Sequence, residues 1–364
     1  CNAAVRTCDP KPVSRDMSYL FCRQVTCPHC EGEAPLLNAL WLAKKGDQWA
    51  VSIKTHPDKT VRFEPFEFTA DKRGLDVPDL EAGTVTSGVG QCVHCQQAIS
   101  GDEIKRQARG ESEYGKWQDV LYCVAGVRIE PKLDKEGNIQ RYASGERKGE
   151  VKTQKIRYFR APTQADQDAL KAAERELEER RLDFEMKGLV PNETFPQGND
   201  MRPVNYGMPT WADMFTPRQL LGHLTVMEAL QNAKPKILES LGKERGRAVI
   251  TYLQFAIDKV VDYNSKQTRW HFSRGVLVGT FGRHDFSLKW TFGETVYAGS
   301  SSGFRWGMSQ VLDAYKGIEL LVRERAKEGL ADKDLWQIKG SATNMAELEA
   351  VSYTHLTLPT ILRV

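Results

Sequence analysis

Four cysteines fall in two closely matched stretches, TCPHCEG at Thr26–Gly32 and QCVHCQQ at Gln91–Gln97. A Cys-x-x-Cys pair forms a tight knuckle that presents both sulfurs to one ion, while backbone N–H groups stabilise the thiolate charge. Two knuckles complete a tetrahedral shell, with zinc–sulfur bonds near roughly 2.3 Å. Cys27, Cys30, Cys92 and Cys95 are therefore the candidate zinc ligands. Four thiolates leave no open position for water, so such a site is structural rather than catalytic. A redox or disulfide role competes for a single pair, whereas two pairs flanked by strand patterns point to metal. His29 and His94 lie inside the knuckles and are the alternative ligands should a nitrogen replace a sulfur. The 61 residues between the pairs exceed ordinary ribbon spacing, so the ribbon carries a β-rich insertion. Cys22 and Cys123 sit in strand-like runs and read as core residues, and no second pair follows Cys1 and Cys8.

The other residues of chemical interest lie later in the chain. YNSKQTRWHFSRG (Tyr263–Gly275) interleaves Tyr263, Trp270 and Phe272 with Lys266, Arg269 and Arg274. Cations among amides and aromatics can hold phosphates and stack bases, which makes Lys266, Arg269 and Arg274 candidate DNA contacts. The competing reading is that the aromatics pack as core. Arg218, in the first turn of a helix, faces either a phosphate or an intrachain partner. Arg283, His284 and Asp285 lack a neighbouring nucleophile and read as structural. SGVG (Ser87–Gly90) runs straight into a knuckle and so does not suit a nucleotide cofactor loop.

The elements that position these residues follow from pattern. From Ser18 to about Ile129, short apolar runs (LFCRQVTC, WAVSIKT, VRFEPFEF, DVLYCVAGVRI) alternate with turn signals such as KKGDQ and HPDKT, as in a β-rich segment. The stretch 130–150 reads as exposed turns and VKTQKIRYFRAP as a last strand. Thr163 caps a charged helix that ends at Gly188, with 8 acidic and 5 basic residues, and its narrow apolar stripe suits a solvent-bridging connector. In FTPRQL, Thr216 takes the cap, Pro217 the first helical position and Gln219 the reciprocal side of a capping box, with Phe215 and Leu220 as staple. That helix is expected to reach about Asn232, with another from Pro235 to about Leu241. Arg247–Tyr263 is apolar nearly all round and is expected to be a central buried helix. Trp306 to about Lys327 is a further amphipathic helix.

Composition sets the outer bounds. The 364 residues carry 40% hydrophobic and 27% charged residues, an ordinary globular mixture. No apolar run approaches the roughly 20 residues of a membrane span, and the first residues lack the pattern of a signal peptide. The expectation is a cytoplasmic protein with no membrane partner. The net charge of +3 divides into +6 for Met214–Gln310, from 13 Lys/Arg and 7 Asp/Glu, and −3 elsewhere. A basic, aromatic-rich segment of this kind is compatible with nucleic acid.

RQVTCPHCEGEAPLL, PTWADMFTPRQLL (Pro209–Leu221), YLQFAIDKVVDYNSKQTRWHFSRG (Tyr252–Gly275), TFGRHDFSLKWTFGE (Thr280–Glu294) and SSSGFRW (Ser300–Trp306) together resemble the large adenine-specific DNA methylases that contain a zinc ribbon. The likeness spans most of Thr26–Met345, in the family's order. It implies transfer of a methyl group from S-adenosylmethionine to adenine N6 in DNA, with DNA as partner. It also implies that Gly340 and Ser341 mark the edge of the cofactor pocket, where related methylases often carry an acidic residue. The family's DPFAGGG-like cofactor loop and its catalytic DPPY motif occur nowhere in these residues. The expectation is therefore an internal fragment that aids DNA binding and is inactive alone. The alternative is a stand-alone zinc-ribbon nucleic-acid-binding or assembly module.

The expected fold class is α+β, a β-rich zinc-ribbon domain followed by a mainly helical domain. Its expected divisions are a fragment start (1–17), the zinc-ribbon domain (18–160), the connector helix and loop (161–196), the helical domain (197–340) and the start of a methylase core (341–350). The tail, 351–364, resembles translated adapter sequence.

Overall fold

The computed structural model describes residues 13–69, 79–196, 200–282, 286–299 and 303–327. The architecture is mixed α and β, an antiparallel sheet with most of the helices later in the chain. Strand β1 (Val13–Thr26) runs into β2 (Glu33–Leu36) through the first knuckle, and β3 (Trp41–Ala43), β4 (Trp49–Thr55) and β5 (Val61–Glu67) form a separate meander. A small sheet, β6 (Val85–Thr86), β7 (Val89–Gln91) and β8 (Ala98–Ile99), carries the second knuckle and leads into α1 (Gly101–Arg109). The hairpin β9 (Gln118–Pro131) and β10 (Thr153–Arg160) then precedes α2 (Gln164–Met186). After the single turn α3 (Arg202–Asn205) come the long helices α4 (Pro217–Leu241) and α5 (Lys243–Asp262). A short hairpin, β11 (Arg269–His271) and β12 (Val276–Val278), is followed by β13 (Thr291–Thr295) and α6 (Gly303–Lys327).

The main sheet has the order β10-β9-β1-β13, with β2 also paired to β1. Along one edge β1 pairs with β9. Along the other it pairs first with β13 (Ser18↔Thr295 to Cys22↔Thr291), then with β2 (Arg23↔Leu36 to Thr26↔Glu33). Successive side chains of a strand point to opposite faces, and β1 is buried on both. Leu20 and Cys22 pack toward Leu42, Ala50, Val51 and Phe63 of the meander. Phe21 stacks on Phe292 of β13 with ring centroids 5.2 Å apart.

The apolar runs expected as strands between Ser18 and Ile129 form β1, β4, β5 and β9, and VKTQKIRYFRAP forms β10. The expected boundary near residue 160 is crossed by backbone pairing, because β13, from the stretch expected to be helical, is hydrogen-bonded to β1. The β11–β12 hairpin also joins the β-rich core, through Trp270 and Leu277. Helix α1 lies where only strands were expected. Its signals are local: Ser100 caps the N–H of Glu103 at 3.2 Å, acids fill the first turn, and Gly110 closes it at φ 73°.

Both expected caps form, the capping box at Thr216 as expected and a full capping box at Thr163, where only a cap was expected. Thr163 N–H donates to Asp166 Oδ2 at 2.7 Å, and the same carboxylate accepts from Arg160, which also binds Asp16 of β1 at 2.6 Å. Arg160 thereby ties the start of α2 to the sheet. Rather than bridging solvent, α2 buries Leu177 and Phe184 against Leu220 and Leu224 of α4. At α4, Thr216 N–H donates to Gln219 Oε1 at 2.9 Å and Gln219 N–H to Thr216 Oγ1 at 3.2 Å. The staple residues Phe215 and Leu220 join the same cluster.

Two helix expectations are corrected. The break expected between Asn232 and Pro235 is absent: α4 continues through Pro235 to Leu241. Proline inside a helix forfeits one backbone hydrogen bond, and close packing holds this turn together, with Gly246 of α5 lying directly against Leu238. Nor is α5 buried all round. Gly246, Ala256, Ile257 and Val260 are covered, while Val249 and Phe255 are exposed. Its neighbours α4 and α6 cover one stripe of the helix and leave the rest to solvent.

Replacing Thr216 with Ala removes the cap and a 3.3 Å hydrogen bond to the buried Glu294. The expected loss is about 1 kcal/mol, read as a lower denaturation midpoint; an unchanged midpoint contradicts the capping role. A second expectation concerns acid. His223 is buried, with Nε2 donating to Asn264 O at 2.9 Å and Nδ1 facing Tyr297 Oη at 3.2 Å. Burial lowers its pKa to about 4, while the unfolded chain's histidine protonates near roughly 6.5. Between these values the unfolded state binds the extra proton, so stability should fall as pH drops through this window. His223→Gln should flatten that slope, and an identical pH profile in the variant contradicts the assignment.

Candidate metal centre

Each knuckle is the turn of a β-hairpin, and the two turns match in register. Thr26 pairs with Glu33 across Cys27–Gly32, and Gln91 pairs with Ala98 across Cys92–Gln97. Inside them the hydrogen bonds repeat: Cys27 N–H to Gly32 O at 2.9 Å and Cys92 N–H to Gln97 O at 2.9 Å. Glu31 N–H likewise donates to Cys27 O at 2.8 Å, and Gln96 N–H to Cys92 O at 3.0 Å. The residue after the second cysteine is left-handed in both turns, Glu31 at φ 58° and Gln96 at φ 60°. That conformation costs a side-chain-bearing residue about 1–2 kcal/mol, so the rest of each turn must hold it in place.

The two turns face one another. Sγ of Cys27 lies 3.7 Å from Sγ of Cys95, and Sγ of Cys30 lies 3.7 Å from Sγ of Cys92. All four sulfurs fall within 4.8 Å of each other, and none is in a disulfide. A tetrahedron with metal–sulfur bonds of roughly 2.3 Å has edges of about 3.8 Å, so the spacing suits a single ion. Burial pushes the Cys92 thiol up to about 12 and raises Cys27 as well, while the Gln97 N–H lowers Cys95. Buried thiols keep their protons without an ion, so holding all four as thiolates would take a bound cation. The cluster of Cys27, Cys30, Cys92 and Cys95 can hold a metal ion, with no open coordination position.

The surroundings fix the knuckles to each other. His29 Nε2 donates to Ala98 O beyond the opposite knuckle at 3.1 Å, so this nitrogen is engaged away from the sulfurs. The His94 ring packs on Gly32, where an added Cβ would lie 2.6 Å from the ring. Neither histidine belongs to the sulfur cluster. Beneath it, Val25, Ala34, Leu36, Val85, Ile99 and Ile104 form an apolar floor.

Sequence reasoning missed Gln107 of α1. Fully buried, it accepts from Thr26 N–H at 2.8 Å and donates to Thr26 O at 2.7 Å and to Glu103 Oε1 at 3.0 Å. One side chain thus clamps the helix that follows the second knuckle to the residue just before Cys27. The local signal for α1 was present in the sequence, but nothing local ties Gln107 to Thr26.

The remaining predicted site residues are dispersed. Lys266, expected to face DNA, instead makes a 3.3 Å ion pair with Asp119, and burial lowers its pKa. This is a correction: a lysine committed to a buried carboxylate is not displayed to a phosphate. Arg269 and Arg274 are exposed on the β11–β12 hairpin, and neither side chain pairs with another described residue. The aromatics of this segment pack against other parts of the chain. Trp270 Nε1 donates to Leu42 O at 2.7 Å, Tyr263 lies edge-on to Trp306, and Phe272 sits beneath Lys44. Asn264, Ser265, Gln267 and Thr268 are buried. Arg218 pairs with Glu294 and lies 4.2 Å above the Tyr19 ring, an intrachain role. Cys22 and Cys123 are buried core thiols, as expected. Gly340, Ser341, Cys1, Cys8, Arg283, His284 and Asp285 lie outside the described residues.

Among the described residues, no helix is long and apolar enough to cross a membrane. Comparison with known protein families, curated proteins and solved structures returned no match to this chain.

One ion shared by four sulfurs predicts that Cys92→Ser loses most of the metal bound by the purified protein. Full metal content in the variant, measured by elemental analysis, contradicts the four-sulfur assignment.

Proposed function

We propose that this chain is the zinc-ribbon and helical portion of an S-adenosylmethionine-dependent DNA adenine N6-methyltransferase, in which it aids DNA binding. The observation that carries the zinc part of this reading is the convergence of two matched Cys-x-x-Cys turns on one point. Soft thiolate ligands in a closed tetrahedral set select zinc over oxygen-loving cations. Zinc here is a staple: it joins the end of β1 to the β7–β8 hairpin and has no open site for chemistry.

The methylase assignment rests on the resemblance of Pro209–Leu221, Tyr252–Gly275, Thr280–Glu294 and Ser300–Trp306 to that family. In such an enzyme S-adenosylmethionine supplies the methyl group. Gly340 and Ser341 are the residues of this chain that the resemblance places beside it. The catalytic motif belongs to the parent enzyme rather than to these residues.

The DNA-binding part is supported by Arg269 and Arg274, two exposed cations on one hairpin whose base packs into the β-rich core. A packed base holds the backbone positions of the two arginines, from which their side chains can reach the phosphates that position a duplex. Each neutralised phosphate releases counterions, so affinity falls with salt in proportion to the number of contacts. Arg269→Ala with Arg274→Ala should lower the slope of log affinity against log salt by about 2. An unchanged slope contradicts the hairpin as the DNA contact.

A further inference from the structure

Between the main sheet and the β11–β12 hairpin lies a largely apolar cavity of about 400 Å³, within the roughly 300–1,000 Å³ typical of small-molecule sites. We infer that it binds a small aromatic acid, with the ring held among Trp270, Tyr263 and Trp306 and the acidic group held by Arg157 at the mouth.

The cavity is open because its floor is made of small residues. Ser18 of β1 sits opposite both Ala125 of β9 and Thr295 of β13. Leu20, two residues along β1, presents the same face and shares a packed cluster with Ala125, Trp270 and Leu277. That face therefore looks toward the hairpin. Leu20 fills its part of the gap, whereas the short side chains of Ser18 and Ala125 leave theirs unfilled.

The aromatic wall opposite is held in place. Trp270 Nε1 donates to Leu42 O at 2.7 Å, and the ring packs edge-on to Phe159 at 5.9 Å. Tyr263, at the end of α5, meets Trp306, in the first turn of α6, at an interplanar angle of 82° with centroids 5.1 Å apart. The Lys259 ammonium lies 4.9 Å from the Tyr263 ring and 5.4 Å from the Trp306 ring, a contact that draws the two together. Rings at such angles can receive a flat ligand by stacking on one and by edge contact with another.

Two polar side chains of the lining keep hydrogen-bonding capacity. Ser18 is 7% exposed, and its hydroxyl makes no hydrogen bond with another described residue. Arg157, from β10, lies against Gly275, where an added Cβ would collide with the guanidinium. Its hydrogen bond among the described residues runs from Nη2 to Arg274 O at 3.4 Å, and no described carboxylate pairs with it. A guanidinium beside an apolar cavity favours an anionic group, and its planar fork matches a carboxylate. Among the described residues the lining offers no Asn, Gln, Asp or Glu side chain. A nucleobase buried here would leave its hydrogen-bonding edge unanswered, with the desolvation cost that follows. A hydrocarbon ring has no such edge. The site is thus independent of the DNA contacts proposed for Arg269 and Arg274.

The test uses the full chain with its metal in place and two probes that share one ring system, naphthoate and the uncharged naphthylmethanol, each titrated by calorimetry. The site predicts saturable binding of one naphthoate per chain, tighter than that of the alcohol. Arg157→Gln should weaken the acid by about tenfold or more and leave the alcohol unchanged, because only the charge-assisted bond is lost. Retained binding of the alcohol also shows that the variant is folded. Val276 lines the cavity and is 40% exposed, so a larger side chain there blocks the mouth without crowding the core. Val276→Trp should abolish binding of both probes. Absence of saturable naphthoate binding, equal weakening of acid and alcohol in Arg157→Gln, or undiminished binding in Val276→Trp overturns the inference. So does binding of a single-stranded oligonucleotide that depends on Arg157 when naphthoate does not bind, since the cavity then receives a base of a nucleic acid rather than a small acid.

Discussion

Four sulfurs drawn from two distant turns cannot all carry charge within 4.8 Å of one another unless a cation sits among them. That electrostatic requirement organises the first part of the molecule. Each knuckle is short, strained at its left-handed residue, and bonded mainly to itself. What joins the two is the shared sulfur cluster, the His29 bond to Ala98, and the Gln107 clamp on Thr26. The apolar floor beneath them is modest, so a metal that binds only the folded arrangement contributes its binding energy directly to folding.

From the first knuckle the constraint passes along β1, the strand on which early and late parts of the chain meet. Arg23 lies at its centre, 1% exposed, with its guanidinium 4.9 Å from the Trp117 ring and 4.7 Å from the Phe292 ring. It pairs with Asp119 of β9, which Lys266 also reaches. Burial alone would raise the Asp119 carboxyl, but the two cations hold it below the usual carboxylate range. A buried cluster of this kind adds little net stability over an apolar replacement, yet removing one member costs roughly 3–5 kcal/mol. Its effect is to fix one register: β1, β9 and the turn before β11 fit together in the arrangement that pairs these charges.

Legibility in the sequence followed the range of the interaction. The knuckles, the helix caps at Thr163 and Thr216, and the strands of the first part were readable because their signals lie within a few residues. The α1 helix carried equally local signals, yet it was hidden by its β-rich surroundings. By contrast β13 is five residues long, contains Gly293, and owes its existence to β1 at the other end of the chain. Lys266 reads as an exposed cation because nothing nearby in sequence announces Asp119. The apolar composition of α5 suggested full burial, although only one stripe is covered. Charge and hydropathy describe a residue's preference; the partner that satisfies it is set by topology.

The most direct measurement of the central claim is X-ray absorption at the zinc edge on protein purified without added metal. The account predicts one zinc per chain with a first shell of four sulfurs at about 2.3 Å. A shell containing nitrogen or oxygen ligands, or protein that folds to the same stability with no metal bound, would contradict it.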